Sequence, residues 1–452
     1  LFWESSEALA LKFLTPFYES KDRRMHLAQF IHRYPPALGG AEAYTARLCE
    51  YLAGRGDVVH VWTTTAVELE DMWRPTSAGR EATGNVERPE RGLSISRFRP
   101  AMFPLRRYVL KGLSLAPVCR WQCLTTPCNP VCPEMWRAAG RYDGPLDAVH
   151  AAAFPYSFPI ACALRLAHRR GVPFYVTPFL HVGDAEDPRD RTRRQYTRPH
   201  LRWLLRQADG VFVQTHIERD AVISLGVSAG RVVLQGLGVD AAECTGGDRA
   251  RMRSRLGIAS DEVVIGHLAN CSEEKGACDL LRAAERLWRR GETFRVILAG
   301  PEMPNFRSFW RRYSRKERVV RLGVVTEVEK RDFLAAIDGF ALPSRTDSFG
   351  LVLLEAWANR CANLVYRAGG PGELVRDDVD GLQAACGDVE ELSRQLKRLV
   401  ADKRLRERLG RAGFARLEHE FRWRDKLELV RSVLAGESGL RNNRTSRRPI
   451  PA

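Results

Sequence analysis

The chain has 452 residues, more than one compact core accommodates, so two domains are expected. With 44% apolar and 28% charged residues it has the composition of a globular protein, and no run of eighteen apolar residues marks a membrane span. The net charge of +16, mostly arginine, suits an anionic partner such as nucleotide phosphates or anionic lipid; a solvated basic surface accounts for it equally, and no nucleic-acid motif accompanies it.

In chain order, residues 1–24 lack a basic n-region and carry Glu4 and Glu7, so they read as an N-terminal extension rather than a secretory signal. Apolar strands then alternate with amphipathic helices, the pattern of parallel α/β architecture. Strands are expected in HLAQFIHR, DVVHVWTT, LSISRFRP, LDAVHAA, PFYVTPF, GVFVQT and RVVLQGLG, and residues 25–240 form the first domain. The polar stretch 241–256 reads as a linker. The pattern restarts over 257–422 with VVIGHLAN, FRVILAG, VVRLGVV, GFALPS, NLVY and GLQAAC, followed by a helix over 423–436 and a basic, disordered tail over 437–452. The tail's Asn443 sequon carries no weight without a secretory signal.

Eleven cysteines, an odd number scattered through these elements, argue for a reducing compartment and hence a cytoplasmic protein. Cys119, Cys123, Cys128 and Cys132 fall within fourteen residues but lack the paired C-x2-C spacing of a metal knuckle; free thiols are expected, and no metal. The surrounding segment, FRPAMFPLRRYVLKGLSLAPVCRWQC, interleaves basic and aromatic residues. It suits either a packed loop or peripheral contact with an anionic membrane and a lipid-linked acceptor.

Two facing doubly wound domains place a cleft at the carboxyl ends of both sheets, where such folds bind ligands. Residues capable of chemistry follow several strands. Gly39 and Gly40 open a helix after the first, where backbone can approach an anion. Lys275 precedes a helix after VVIGHLAN, an unfavourable place for a cation unless an anion lies between. After GFALPS, the amides of Phe349, Gly350 and Leu351 begin a helix bracketed by Asp347 and Glu355. A phosphate at the helix start with a hydroxyl-rich ring at each carboxylate describes a nucleotide sugar.

Asp347-Ser-Phe-Gly-Leu-Val-Leu-Leu-Glu355 resembles the E-x-F-G-x4-E signature of the retaining GT-B glycosyltransferases of family 4, the group 1 glycosyltransferases. Leu-Pro-Ser344 before it, Gly-Gly-Ala-Glu at Gly39–Glu42, Gly-Val-Asp at Gly238–Asp240 and Glu-Lys-Gly at Glu274–Gly276 occur in the family's order, so the resemblance covers Met25 to Val433. It implies a GT-B fold of two Rossmann-like domains and hexose transfer from a nucleotide-diphosphate sugar, as co-substrate, to a saccharide or lipid-linked acceptor in polysaccharide assembly. No metal or other cofactor is implied. Glu355 would bind the donor ribose and Asp347 the transferred sugar. Lys275 with the Phe349 and Gly350 amides would neutralise the diphosphate. Gly39 and Gly40 would contribute from the opposite domain, and His181 would lie near the donor sugar, with His150 a second histidine for the same cleft.

The sequence departs from the signature twice. Asp347 is one methylene shorter than the usual glutamate, and Asn270 stands where the family commonly has an arginine, so His267 or another arginine would have to supply that charge. The Asn270 departure supports a rival reading, a catalytically degenerate GT-B protein that binds a nucleotide sugar or a partner without turnover. An epimerase acting on the nucleotide sugar itself is a further alternative.

Overall fold

The computed structural model describes residues 24–74, 86–88, 92–183 and 190–437. The extension over 1–24, apart from its last residue, and the tail over 438–452 with its sequon lie outside the described residues. Two sheets organise the rest. The first contains β1 (His26–Phe30), β2 (Val58–Thr64), β3 (Val86–Arg88), β4 (Leu93–Phe98), β5 (Ala148–Ala152), β6 (Phe174–Thr177), β7 (Gly210–Val213) and β8 (Val232–Leu234). Its order is β3-β4-β2-β1-β5-β6-β7-β8, parallel except for the antiparallel edge strand β3. The second contains β9 (Val264–Leu268), β10 (Arg295–Ala299), β11 (Val319–Gly323), β12 (Gly339–Leu342), β13 (Ala362–Tyr366) and β14 (Gly381–Ala384), in the order β11-β10-β9-β12-β13-β14, all parallel.

Both sheets are covered by helices, which is why their central strands are largely apolar, with single polar residues such as His150 in β5 and His267 in β9. β5, β9, β12 and β13 are buried at every position. Strand order reverses between β1 and β5 in the first sheet and between β9 and β12 in the second. The loops leaving β1, β9 and β12 therefore sit at the switch points, and they carry Gly39, Lys275 and Asp347.

The chain crosses between the lobes twice, and the crossings touch. Residues 241–256 include two short helices, Ala241–Cys244 and Arg249–Arg255, anchored on the second lobe by Arg253, which reaches the Ala336 carbonyl and pairs with Asp338 at 2.7 Å. After the long helix Lys403–Glu420 the chain returns, and the helix Trp423–Leu434 packs on the first lobe. Val239 donates to the Phe421 carbonyl where the strands pass, and a Cβ on Gly238 would lie 2.7 Å from Phe421 O and Trp423 N. Only glycine fits, which gives the Gly-Val-Asp motif a structural reason.

The returning helix is locked by a buried ion pair: Arg431 Nε lies 2.9 Å from Asp57 Oδ2, and Asp57 Oδ1 accepts from the Met25 amide at 3.0 Å. With both partners sealed from water, removing one leaves an uncompensated charge. Asp57→Ala is expected to cost about 3–5 kcal/mol in urea denaturation, whereas the joint replacement Asp57→Leu with Arg431→Met recovers most of that loss.

Candidate active site

The site is built on a backbone contact between the two switch-point loops of the second lobe. Gly276, at φ 82°, caps the helix Ala277–Arg289, and a Cβ there would lie 2.0 Å from the Pro343 carbonyl. The loop after β9 thus rests directly on the loop after β12. Ser344, fully buried, reaches the Glu274 carbonyl at 3.3 Å, and the Arg345 amide donates to the same carbonyl at 2.9 Å. Arg345 is tied in turn to buried Asp279.

This contact brings Lys275 Nζ to 2.7 Å from Asp347 Oδ2, both side chains about four-fifths buried. Burial pushes the Asp347 carboxyl up, but the Lys275 ammonium, with His181 and the Phe349 amide, more than offsets it and holds the pKa below the ordinary value. Lysine at the helix entrance is thus explained by a carboxylate of the neighbouring loop. The Phe349 amide, expected to face a diphosphate, hydrogen-bonds Asp347. Gly350, at φ 87°, caps the helix Leu351–Ala358; Phe349 is buried against Phe421 and Leu351 is half-buried.

Glu355, one turn into that helix, is 7% exposed. Its Oε1 accepts from Lys330 Nζ at 3.0 Å, while Oε2 is buried with no hydrogen-bond partner. Such an atom costs free energy unless a donor reaches it, and a sugar hydroxyl is a donor of the right kind. Burial raises the Glu355 pKa, and Lys330 only partly counters this. Lys330, from the helix Glu327–Ala336, has its own pKa lowered by burial and raised further by Glu355 and Glu327, so it stays charged.

From the first lobe, His181 reaches across, its Nδ1 against the Thr346 carbonyl. Burial, and then the Lys275 charge, lower its pKa to about 4, so the ring is neutral, with Nδ1–H donating and the Nε2 lone pair available. Tyr196 packs on the ring at 4.8 Å between centroids. Glu218 supports it from behind, accepting from the Leu180 amide at 2.5 Å and the Gln214 amide at 2.6 Å. Gly39 and Gly40 are exposed at the rim, with Gly39 against the Glu42 carboxylate. Glu42 pairs with Arg33 at 2.5 Å and His32 at 3.3 Å and so fixes this loop.

Lys275, Asp347 and His181 are therefore in one constellation, with Glu355 further along its helix and Asn270 exposed after β9. Two histidine expectations need correction. His150 is sealed in the first sheet, bonded to Gln29 at 2.6 Å and Thr177 at 2.7 Å, and does not serve the cleft. His267 is fully buried in β9, bonded to the Ala341 carbonyl, with burial lowering its pKa to about 4; a neutral ring cannot replace the missing arginine. The sequence reading also missed Lys330 and Tyr196, which no motif marks, and Glu42, which the Gly-Gly-Ala-Glu motif had offered. Cys123 and Cys132 are core thiols, and no group of three or more metal-ligating side chains occurs among the described residues.

Two facing α/β sheets with a polar constellation at their switch points define a GT-B glycosyltransferase. The sequence profile described as glycosyl transferases group 1 matches residues 248–416, and that of the glycosyl transferase 4-like domain matches 39–238. The chain belongs to the group 1 glycosyltransferases.

Among curated relatives, a D-inositol 3-phosphate glycosyltransferase of Saccharomonospora viridis is 30% identical over 278 residues, 58% of this chain and 62% of that protein. The lipopolysaccharide core biosynthesis glycosyltransferase LpsE of Rhizobium meliloti is 31% identical over 169 residues, 37% of this chain and 48% of that protein. The chain thus spans only about half to three-fifths of these relatives. Among solved structures, sucrose-phosphate synthase from Thermosynechococcus elongatus superposes with a TM-score of 0.68 at 19% identity, covering 91% of this chain and 100% of that one. Anabaena HepE in complex with UDP-glucose gives 0.66 at 18% identity, with the same coverage.

The pairing of Glu355 with Lys330 has a measurable consequence. Lys330→Met leaves burial unopposed and raises the Glu355 pKa further, so less of the carboxylate is ionised as pH falls. Titration of nucleoside diphosphates into the variant is expected to give affinity about tenfold weaker than the wild type's, with the deficit growing as pH falls; Lys330→Arg restores the wild-type pH profile.

Proposed function

We propose that this glycosyltransferase moves a hexose from a UDP-sugar to a hydroxyl of a saccharide or lipid-linked acceptor, with retention of configuration and without a metal ion. The observation that carries the reading is the buried, unpartnered Oε2 of Glu355 on the helix that begins beside Lys275 and Asp347. A ribose hydroxyl satisfies that atom, and the fold likeness to HepE, whose structures hold UDP and UDP-glucose, favours uridine as the base. Relatives named for D-inositol 3-phosphate and for lipopolysaccharide core favour a polyhydroxyl acceptor.

In this reading the C1–O bond to the diphosphate breaks with oxocarbenium character, and the acceptor oxygen attacks from the same face. Lys275 and the amides at the Leu351–Ala358 helix start stabilise charge on the leaving diphosphate, which takes up the acceptor proton. Asp347, kept ionised by Lys275, orients the hexose hydroxyls. Neutral His181 accepts a hydrogen bond at Nε2 without adding positive charge beside the forming oxocarbenium. The rival without turnover rests on Asn270, but Lys275 and Asp347 retain the charges the chemistry uses. In the same reading the enzyme works at the inner face of an anionic membrane, where a lipid-linked acceptor would be held.

UDP-glucose or another UDP-sugar is expected to raise the melting temperature of the wild-type protein more than the GDP, ADP or TDP sugars do. Lys275→Ala and Glu355→Ala should each lower turnover by about 10²–10³-fold with the fold intact by circular dichroism, and EDTA should leave the wild-type rate unchanged. Wild-type rates in both variants would sink this assignment of the cleft.

A further inference from the structure

The chain between β4 and β5 leaves the compact body of the first lobe. From Arg99 to Pro133 it carries five Arg or Lys and no Asp or Glu. It forms the helices Arg106–Leu113, Cys119–Thr125 and Pro133–Ala139. Of the large apolar side chains exposed among the described residues, more than half fall between Met102 and Trp121. Leu105, Tyr108 and Leu115 are 72%, 72% and 76% exposed.

This is not a loose loop. Arg106, 5% exposed, donates to the carbonyls of Ala101, Pro127 and Asn129 and so clamps the base of the excursion. Gln122 reaches the Ser114 and Ala116 carbonyls, both at 3.1 Å, and the Trp121 indole N–H reaches Leu113 O at 2.8 Å, which braces the turn over 114–118. On the helix Arg106–Leu113 only Arg106 and Leu110 face inward; Arg107, Tyr108, Val109, Lys111 and Leu113 all face out. A rigid backbone holding apolar side chains in water is costly unless something covers them. The interleaved Arg107 and Lys111, with no acid to neutralise them, specify an anionic and apolar cover.

We propose that the segment from Met102 to Trp121 docks on an anionic phospholipid bilayer, the apolar side chains entering the acyl boundary and Arg107 and Lys111 meeting headgroup phosphates. The root of the segment lies near the first-lobe loops that face the cleft. It begins at the carboxyl end of β4, and Asn129 bonds Ser157, next to Tyr156, whose ring stacks on His32 at 4.1 Å. Docking there presents the first-lobe side of the cleft to acceptors held in the membrane, which deepens the reading above while resting on separate residues.

The test is sedimentation of the full chain with vesicles of phosphatidylcholine alone and of phosphatidylcholine with about one third phosphatidylglycerol. Binding is expected only with phosphatidylglycerol and is expected to weaken as salt rises. The joint variant Arg107→Glu with Lys111→Glu should lose at least about tenfold in partitioning, and Leu105→Ser with Leu115→Ser should fall comparably. Both should keep the wild-type thermal shift with UDP, which shows the fold and donor site to be intact. Equal binding of wild type and variants, or no preference for the anionic vesicles, overturns the proposal. So does a dimer in size-exclusion chromatography that the same substitutions dissolve, because the surface would then be an interface between copies. Vesicle binding without sugar turnover leaves the docking surface standing and removes the transferase reading alone.

Discussion

The site depends on one close approach, the backbone of Gly276 lying on the carbonyl of Pro343. Any Cβ at that position pushes the loop after β9 away from the loop after β12. Lys275 then no longer meets Asp347, and Ser344 and Arg345 lose the Glu274 carbonyl. The sheet order creates the opportunity, since β9 and β12 are adjacent in space and their outgoing helices diverge at the switch point. The glycine turns that adjacency into a fixed arrangement of charge.

That arrangement keeps buried groups ionised by pairing them. Lys275 with Asp347 and Lys330 with Glu355 are two lysine–carboxylate pairs on the same lobe, each with partners from different loops or helices. They differ in completeness. Asp347 has Lys275, the Phe349 amide and the nearby His181 to offset its burial, and its pKa falls. Glu355 has only Lys330, through one oxygen, and its pKa rises. The less satisfied carboxylate has more to gain from a ligand hydroxyl, so under the proposed function donor binding and the ionisation of Glu355 would be linked.

The sheet architecture was legible because short, largely apolar strand segments alternate with amphipathic helices, and all thirteen strands expected from that alternation are present. The missing one, β3, is a three-residue antiparallel edge whose Val-Glu-Arg offers no such segment. Glu355 was legible for a different reason: a carboxylate inside an apolar helix contradicts its surroundings, and Asp347 stands out just before the same helix. Lys330 was not. It lies on a helix rich in charge, where one more lysine looks like solvated surface, and only the neighbouring helix brings Glu355 to it. His150 and His267 misled in the opposite way. A histidine near the end of a strand resembles a cleft residue until its surroundings are seen: Gln29 and Thr177 take both nitrogens of His150, and His267 is sealed in β9 with its Nδ1 on the Ala341 carbonyl.

The contacts between the lobes are of two unlike kinds. At the cleft they are polar and partly wet: His181 to the Thr346 carbonyl, and the Glu373 carboxylate accepting from the His216 and Ile217 amides at 2.7 and 2.8 Å. Exposed hydrogen bonds of this sort exchange readily for water and contribute about 1 kcal/mol each. At the other seam the helix Trp423–Leu434 buries Leu427, Val430 and Val433, with Trp423 near Tyr44 and Arg431 sealed onto Asp57. Separating that seam exposes apolar surface and strands two charges, so the cleft contacts yield first. The lobes are thus joined firmly where the chain crosses and weakly across the cleft. A nucleotide sugar bridging Glu355 on one lobe and His181 on the other would add its binding energy at the weak side, where it does most to hold the two together.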